Sequence, residues 1–143
     1  MTKSNATTPN GLPIYANPDD FPDWRWKNFT PQEMKSKGPK GTLALDPAAM
    51  DLLQDLRDRI GKPFHIVSAY RSPEHNKAVG GAKRSFHMNG VAFDISMRNH
   101  DPHEFRDIAE EMGFDGIGTY PPARGNFIHI DTRGYRARWG DPF

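Results

Sequence analysis

Ser85-Phe86-His87-Met88-Asn89-Gly90-Val91-Ala92-Phe93-Asp94 is the stretch on which the reading of this chain turns, and Phe127-Ile128-His129-Ile130-Asp131 is its counterpart further on. Val91-Ala92-Phe93-Asp94-Ile95 reads as a strand, and Gly90 can bend the chain between His87 and Asp94. One polar donor then precedes the strand and another lies within it, while His129 arrives from a second strand over residues 126–132. Two imidazoles and a carboxylate form a donor set suited to a catalytic zinc ion that keeps one position for water. Neighbouring strands also supply the rigidity such a centre requires.

Outward from these stretches, the punctuation is clear. Thr30-Pro31-Gln32-Glu33 has the capping-box pattern with proline at the first helical position, so a short helix begins there. Asp46-Pro47 opens a longer helix to about Ile60, ended by Gly61, with Met50, Leu52, Leu53, Leu56 and Ile60 as its apolar stripe. Residues 64–70 are the next candidate strand, and Ser72-Pro73 starts a short helix that stops near Gly80-Gly81. Asp101-Pro102 caps another helix, with Phe105, Ile108, Ala109 and Met112 at helical spacing and Gly113 at its end. Strands over residues 116–120 and 126–132 complete the pattern. The expected fold class is α+β, a small and largely antiparallel sheet flanked by helices. Residues 1–22, rich in Pro, Asn and Asp, read as an irregular arm, and residues 23–143 as one domain carrying the metal site.

Composition narrows the function. The 143 residues can bury one core, with 36% hydrophobic and 26% charged side chains. A net charge of +1 offers no basic face for nucleic acid. There are no cysteines, so disulfides and thiolate ligands are excluded and any metal must be held by His, Asp or Glu. No apolar run reaches membrane-spanning length, and the first twenty residues lack the apolar segment of a secretory signal. A monomer without membrane insertion is expected, made in the cytoplasm and reaching its substrate by another route, or else a trimmed periplasmic form.

Ser68-Ala69-Tyr70-Arg71-Ser72-Pro73-Glu74-His75-Asn76, then Ser85-x-His87-x-x-Gly90-x-Ala92-x-Asp94, then His129-x-Asp131, run in an order that resembles a known family. It is the family of zinc DD-peptidases acting on bacterial cell-wall peptides: D-alanyl-D-alanine carboxypeptidases, murein endopeptidases and phage endolysins of hedgehog-like fold. The resemblance spans roughly residues 29–139. It implies a zinc-dependent metallopeptidase cleaving amide bonds of peptidoglycan stem peptides or cross-links through a metal-activated water. It implies His87, Asp94 and His129 as zinc ligands, Arg71 as a substrate-contacting cation that stabilises charge near the scissile carbonyl, and Ser85 as a structural or substrate-contacting position. Several members carry an acidic base three residues before the last histidine, where this chain has Asn126. Asp131, on the same face of the strand as His129, is then either the base or a carboxylate that orients a ligand. A chain lacking a leader suits phage-type release, with the enzyme acting on the cell wall after the inner membrane is breached.

Two other readings use the same donors. A mononuclear iron(II) oxygenase also employs two His and one carboxylate, but its His and acid usually stand two residues apart. A non-catalytic zinc-containing binding module, as in hedgehog signalling domains, is compatible with Asn126. Among the remaining histidines, His65 reads as structural, His75 as a helix-start or cleft residue, and His100 and His103 as solvated. Tyr120, Trp24 and Trp26 read as core or rim packing, with contact to a glycan or peptide as the alternative, and Lys35, Lys37 and Lys40 as a solvated loop.

Overall fold

The computed structural model describes residues 6–143; the first five residues of the expected arm lie outside the described residues. Four helices form where the capping signals stand: α1 (Pro31–Met34), α2 (Pro47–Ile60), α3 (Pro73–Ala78) and α4 (Pro102–Glu111). Each has proline in its first turn and an N-cap side chain, Thr30, Asp46, Ser72 or Asp101, accepting a backbone N–H. That satisfies one of the donors a helix start leaves free, worth about 1 kcal/mol per cap. The Thr30–Glu33 capping box is complete, and Gly61 ends α2 at φ 74°.

Five strands, β1 (Ile66–Ser68), β2 (Ala92–Ser96), β3 (Gly116–Tyr120), β4 (Phe127–Asp131) and β5 (Ala137–Gly140), form one sheet in the order β1-β2-β4-β3-β5. Every pairing is antiparallel except β3 with β5, so the expected α+β class with a largely antiparallel sheet holds. The candidate strand over residues 64–70 shrinks to three residues. The register shifts between Ile66 and Ser68, and beyond them the chain turns to other partners, with Tyr70 N–H donating to Met34 and Arg71 N–H to His87. β5 went unforeseen, because Ala137-Arg138-Trp139-Gly140 has neither an apolar run nor a clear alternation.

Alternation along the strands gives the sheet two unlike faces. Phe93, Ile95, Ile117, Ile128 and Ile130 point to one side and are buried against Met50, Leu53 and Leu56 of α2 and Phe105 and Ala109 of α4. Burying each such side chain contributes about 1.5–3 kcal/mol. Leu52, Ile60, Ile108 and Met112 border this core, partly buried. Trp26 and Phe29 join it, and Tyr15 ties the preceding segment to the domain by exchanging backbone hydrogen bonds with Leu43. His100, expected to be solvated, instead sets its ring against Phe64 and Phe105 and bonds the Pro63 carbonyl at 2.9 Å.

Candidate metal centre

The opposite face of the sheet carries the polar cluster. Asp94 of β2 pairs with His129 of β4, His129 pairs with Gly118 of β3, and Gly118 pairs with Trp139 of β5. This single row across four strands sets a carboxylate, an imidazole, a bare backbone and an indole side by side. A Cβ on Gly118 would lie 2.4 Å from the Trp139 ring, so only glycine lets the indole lie flat over β3 and reach His129, 5.1 Å away between ring centroids.

His87 enters from a 3-10 turn, Phe86–Asn89, just before β2. Ser85 caps that turn by accepting the His87 N–H. Gly90 closes it at φ 68°, where an added Cβ would come within 2.8 Å of the Ala44 carbonyl. The backbone therefore requires glycine for both its angle and its space. His87 Nδ1 lies 2.8 Å from the Ala69 carbonyl. Nδ1 accordingly donates to that carbonyl, which turns Nε2 toward Asp94.

His87 Nε2 is 3.2 Å from Asp94 Oδ2, and His129 Nδ1 is 2.9 Å from Asp94 Oδ1. One donor atom from each of the three residues lies within 4.8 Å of the others, and all three residues are buried. Burial on its own would raise the Asp94 carboxyl, but the two imidazoles outweigh it and hold it well below the usual carboxylate range. His129 shows the converse: burial would lower it, while Asp131 and Asp94 together raise it above its ordinary value. An ionised carboxylate buried here needs a positive charge beside it. A divalent cation ligated by all three residues meets that need, and the donor set fits zinc.

Asp131, expected either as the base or as a carboxylate that orients a ligand, is held from several sides. It lies beyond His129 from Asp94, fully buried, with Oδ2 2.6 Å from His129 Nε2. Its oxygens also accept from the Gly116 N–H, the Arg133 N–H and the Arg133 guanidinium. A Cβ on Gly116 would sit 2.3 Å from that carboxylate. Burial would raise Asp131, but His129 and Arg133 hold it well below its ordinary value. So enclosed, its oxygens are turned to these donors and away from the cleft. Its position is that of a carboxylate orienting an imidazole.

Arg71 stands at the edge of the cluster, its Nη2 3.9 Å from Asp94 Oδ2. Its Nη1 donates to Asn76 Oδ1 at 3.0 Å, and Asn76 is itself pinned to the Ala82 carbonyl. Gly81 leaves room for this contact, since a Cβ there would fall 2.1 Å from Asn76 Oδ1. The cleft over the cluster encloses about 580 Å³, and Arg71 and Ser85 both line it. Its lining includes three arginines, Arg71, Arg84 and Arg133, and Asp94 as its carboxylate. His75 lies elsewhere, against Gly38. Asn126 does not line the cleft either; it sits at φ 58°, a left-handed conformation that asparagine tolerates better than an acid with a longer side chain.

Sequence reasoning missed Arg133 and Trp139 and left Tyr120 between packing and substrate contact. Arg133 lies over the rings of Phe86 (4.3 Å) and Trp139 (4.8 Å), and Tyr120 stacks on Phe127 while accepting the Trp139 indole N–H. All of them line the cleft. The signal was present in Gly116-Ile117-Gly118: glycines at alternate positions of a strand leave one face bare for neighbours to cover.

Known proteins bear on this arrangement. A family profile described as Peptidase M15 matches residues 27–131, which include Arg71, Ser85, His87, Asp94, His129 and Asp131. The chain is 36% identical over 96 residues to the peptidoglycan L,D-endopeptidase MepK of Escherichia coli (strain K12), an alignment covering 62% of this chain and 52% of that protein. It is 27% identical over 107 residues to the probable peptidoglycan L,D-endopeptidase MepK of Haemophilus influenzae, covering 69% of this chain and 56% of the relative. The chain thus spans about half the length of the curated relatives it matches.

Proposed function

The chain belongs to the peptidase M15 family, and from that premise we propose that it is a zinc-dependent hydrolase of peptide bonds in peptidoglycan, acting on cross-links as an endopeptidase. The observation that carries this reading is the convergence of His87, Asp94 and His129 in a buried cluster at the floor of an open cleft. The relatives are endopeptidases, which favours that activity over a carboxypeptidase's. Family membership also sets the oxygenase reading aside. The place of action is the cell wall, and among the described residues no helix is long and apolar enough to cross a membrane.

Zinc held by these three residues would supply a Lewis acid for a carbonyl oxygen and an acidified water. The chain's own groups do the rest. Ala69 and Asp131 fix the two imidazoles by accepting from the ring nitrogens that face away from the cluster centre. Arg71, held by Asn76, presents a permanent cation to charge developing on the substrate carbonyl. Tyr120 accepts from Trp139, which leaves its O–H free to donate toward the cleft.

The test is release of new amino groups from purified peptidoglycan by the zinc-loaded protein, with fragments identified by mass spectrometry. Activity should vanish with a chelator, return with zinc alone, and be absent in His87→Ala. Tight peptidoglycan binding without any released amine would establish the binding-module reading instead.

A further inference from the structure

A groove larger than the cleft, of about 810 Å³, lies outside it over β1 and the end of β2. It is lined by Lys62, His65, Val67, Ser96 and Arg98 among others, with no acidic residue. Lys62 also borders Asp101 and Glu104 in an adjoining depression. Arg98 is exposed, and among the described residues its guanidinium has no ion-pair or hydrogen-bond partner.

Register connects this groove to the cluster. Ser96 lies two residues beyond Asp94 and so on the same face of β2. Ser96 is also directly opposite Phe127, which lines the cleft. On β1, Ile66 is buried in the core while His65 and Val67 are exposed, and the irregularity between Ile66 and Ser68 leaves Ser68 within reach of Arg71. Groove and cleft therefore adjoin along one face of the sheet, with Ser96 and Phe127 at their junction.

We infer that the groove is a second subsite, one that holds a carboxylate-bearing peptide arm of the substrate while the scissile bond lies over His87, Asp94 and His129. The inference rests on the peptidoglycan reading above. Two observations select the occupant: Ser96 of the groove is paired with Phe127 of the cleft, so one extended chain laid along this face spans both, and the basic lining with an unpaired Arg98 matches the free carboxylates that stem peptides carry. Val67 and Pro63 give the arm an apolar bed. A cross-linked substrate fills both subsites, whereas a short peptide fills only the cleft.

The experiment compares wild-type, Arg98→Gln and Arg98→Glu zinc-loaded proteins on three substrates: a cross-linked muropeptide dimer with free carboxylates, the same dimer with its carboxylates amidated, and a short peptide spanning only the scissile bond. For the free-acid dimer, KM should rise about threefold in Arg98→Gln and about tenfold in Arg98→Glu, with kcat unchanged. The other two substrates should show no change. Equal KM values for all three proteins on the free-acid dimer, or equal losses on all three substrates, would overturn the subsite. If the wild-type protein cleaves none of them, the hydrolase reading fails on its own. The groove is then judged by backbone amide shifts at Val67 and Ser96 on titration with the free-acid dimer: shifts that disappear in Arg98→Glu support it, and their absence in the wild-type protein overturns it.

Discussion

The two faces of the same five-stranded sheet are built from alternate residues of the same strands and obey opposite rules. On one, Phe93, Ile95, Ile128 and Ile130 fill a dry core and could be exchanged for other apolar groups of similar volume. On the other, Asp94, His129 and Asp131 are just as buried, yet each is held by a named partner at hydrogen-bond distance. The core face supplies stability by area, the site face supplies geometry by pairing. The sheet lets a stable layer fix an electrostatically costly one, because a strand that cannot slip keeps both of its faces in register.

Breaking the core face should show in stability. Phe93→Ala is expected to cost about 3–5 kcal/mol of unfolding free energy, read by urea denaturation, with zinc stoichiometry retained below the transition. Metal loss at full stability would mean the two faces are not separable.

Damage on the site face should show first in metal binding. Asp131→Asn keeps the shape of the side chain but weakens its hold on the His129 ring, and zinc affinity should fall about 10–100-fold. Competition with a chelating dye measures this. Unchanged affinity would remove Asp131 from the account.

Gly118→Ala sharpens the contrast from the backbone side. The new methyl overlaps the Trp139 ring, so the indole must move, at about 1–3 kcal/mol and with altered tryptophan fluorescence. An unchanged emission spectrum would deny that Trp139 lies over β3.

Acidity should produce the smallest effect. His129 is raised above its ordinary 6.5, so its contribution to stability is complete below that value and fades as pH rises through the folded value. Asp94 and Asp131 are held below their ordinary 3.8, so theirs is present above that value and fades as pH falls through their folded values. The Tm of metal-stripped protein should therefore peak between roughly pH 4 and 6.5. In zinc-loaded protein the peak should shift upward, since protons and metal compete for His129. A metal-stripped Tm still climbing at pH 8 would contradict the His129–carboxylate pairing.

What could be read from sequence follows the same division. Capped helices announced themselves through Thr30-Pro31, Asp46-Pro47, Ser72-Pro73 and Asp101-Pro102, because a cap is a local interaction between near neighbours. β2 and β4 were legible through apolar residues alternating with chemical ones, and His87, Asp94 and His129 through spacing. What was hidden depends on contacts distant in the chain. β5 is held by β3 and by ion pairs from Arg136 and Arg138 to Glu110 of α4. For Asp131, sequence left base and orienting carboxylate both open, because its contacts with Arg133 and the Gly116 N–H are made only in the fold. Trp139 gained its place only because β5 runs beside a glycine.

The central claim is that His87, Asp94 and His129 hold one divalent ion, and X-ray absorption at the zinc edge on the reconstituted protein tests it most directly. The account predicts one zinc per chain, with two imidazole nitrogens and carboxylate oxygen among its neighbours and one imidazole lost in His129→Ala. A protein that takes up no zinc, or whose zinc environment is the same in His129→Ala, would contradict it.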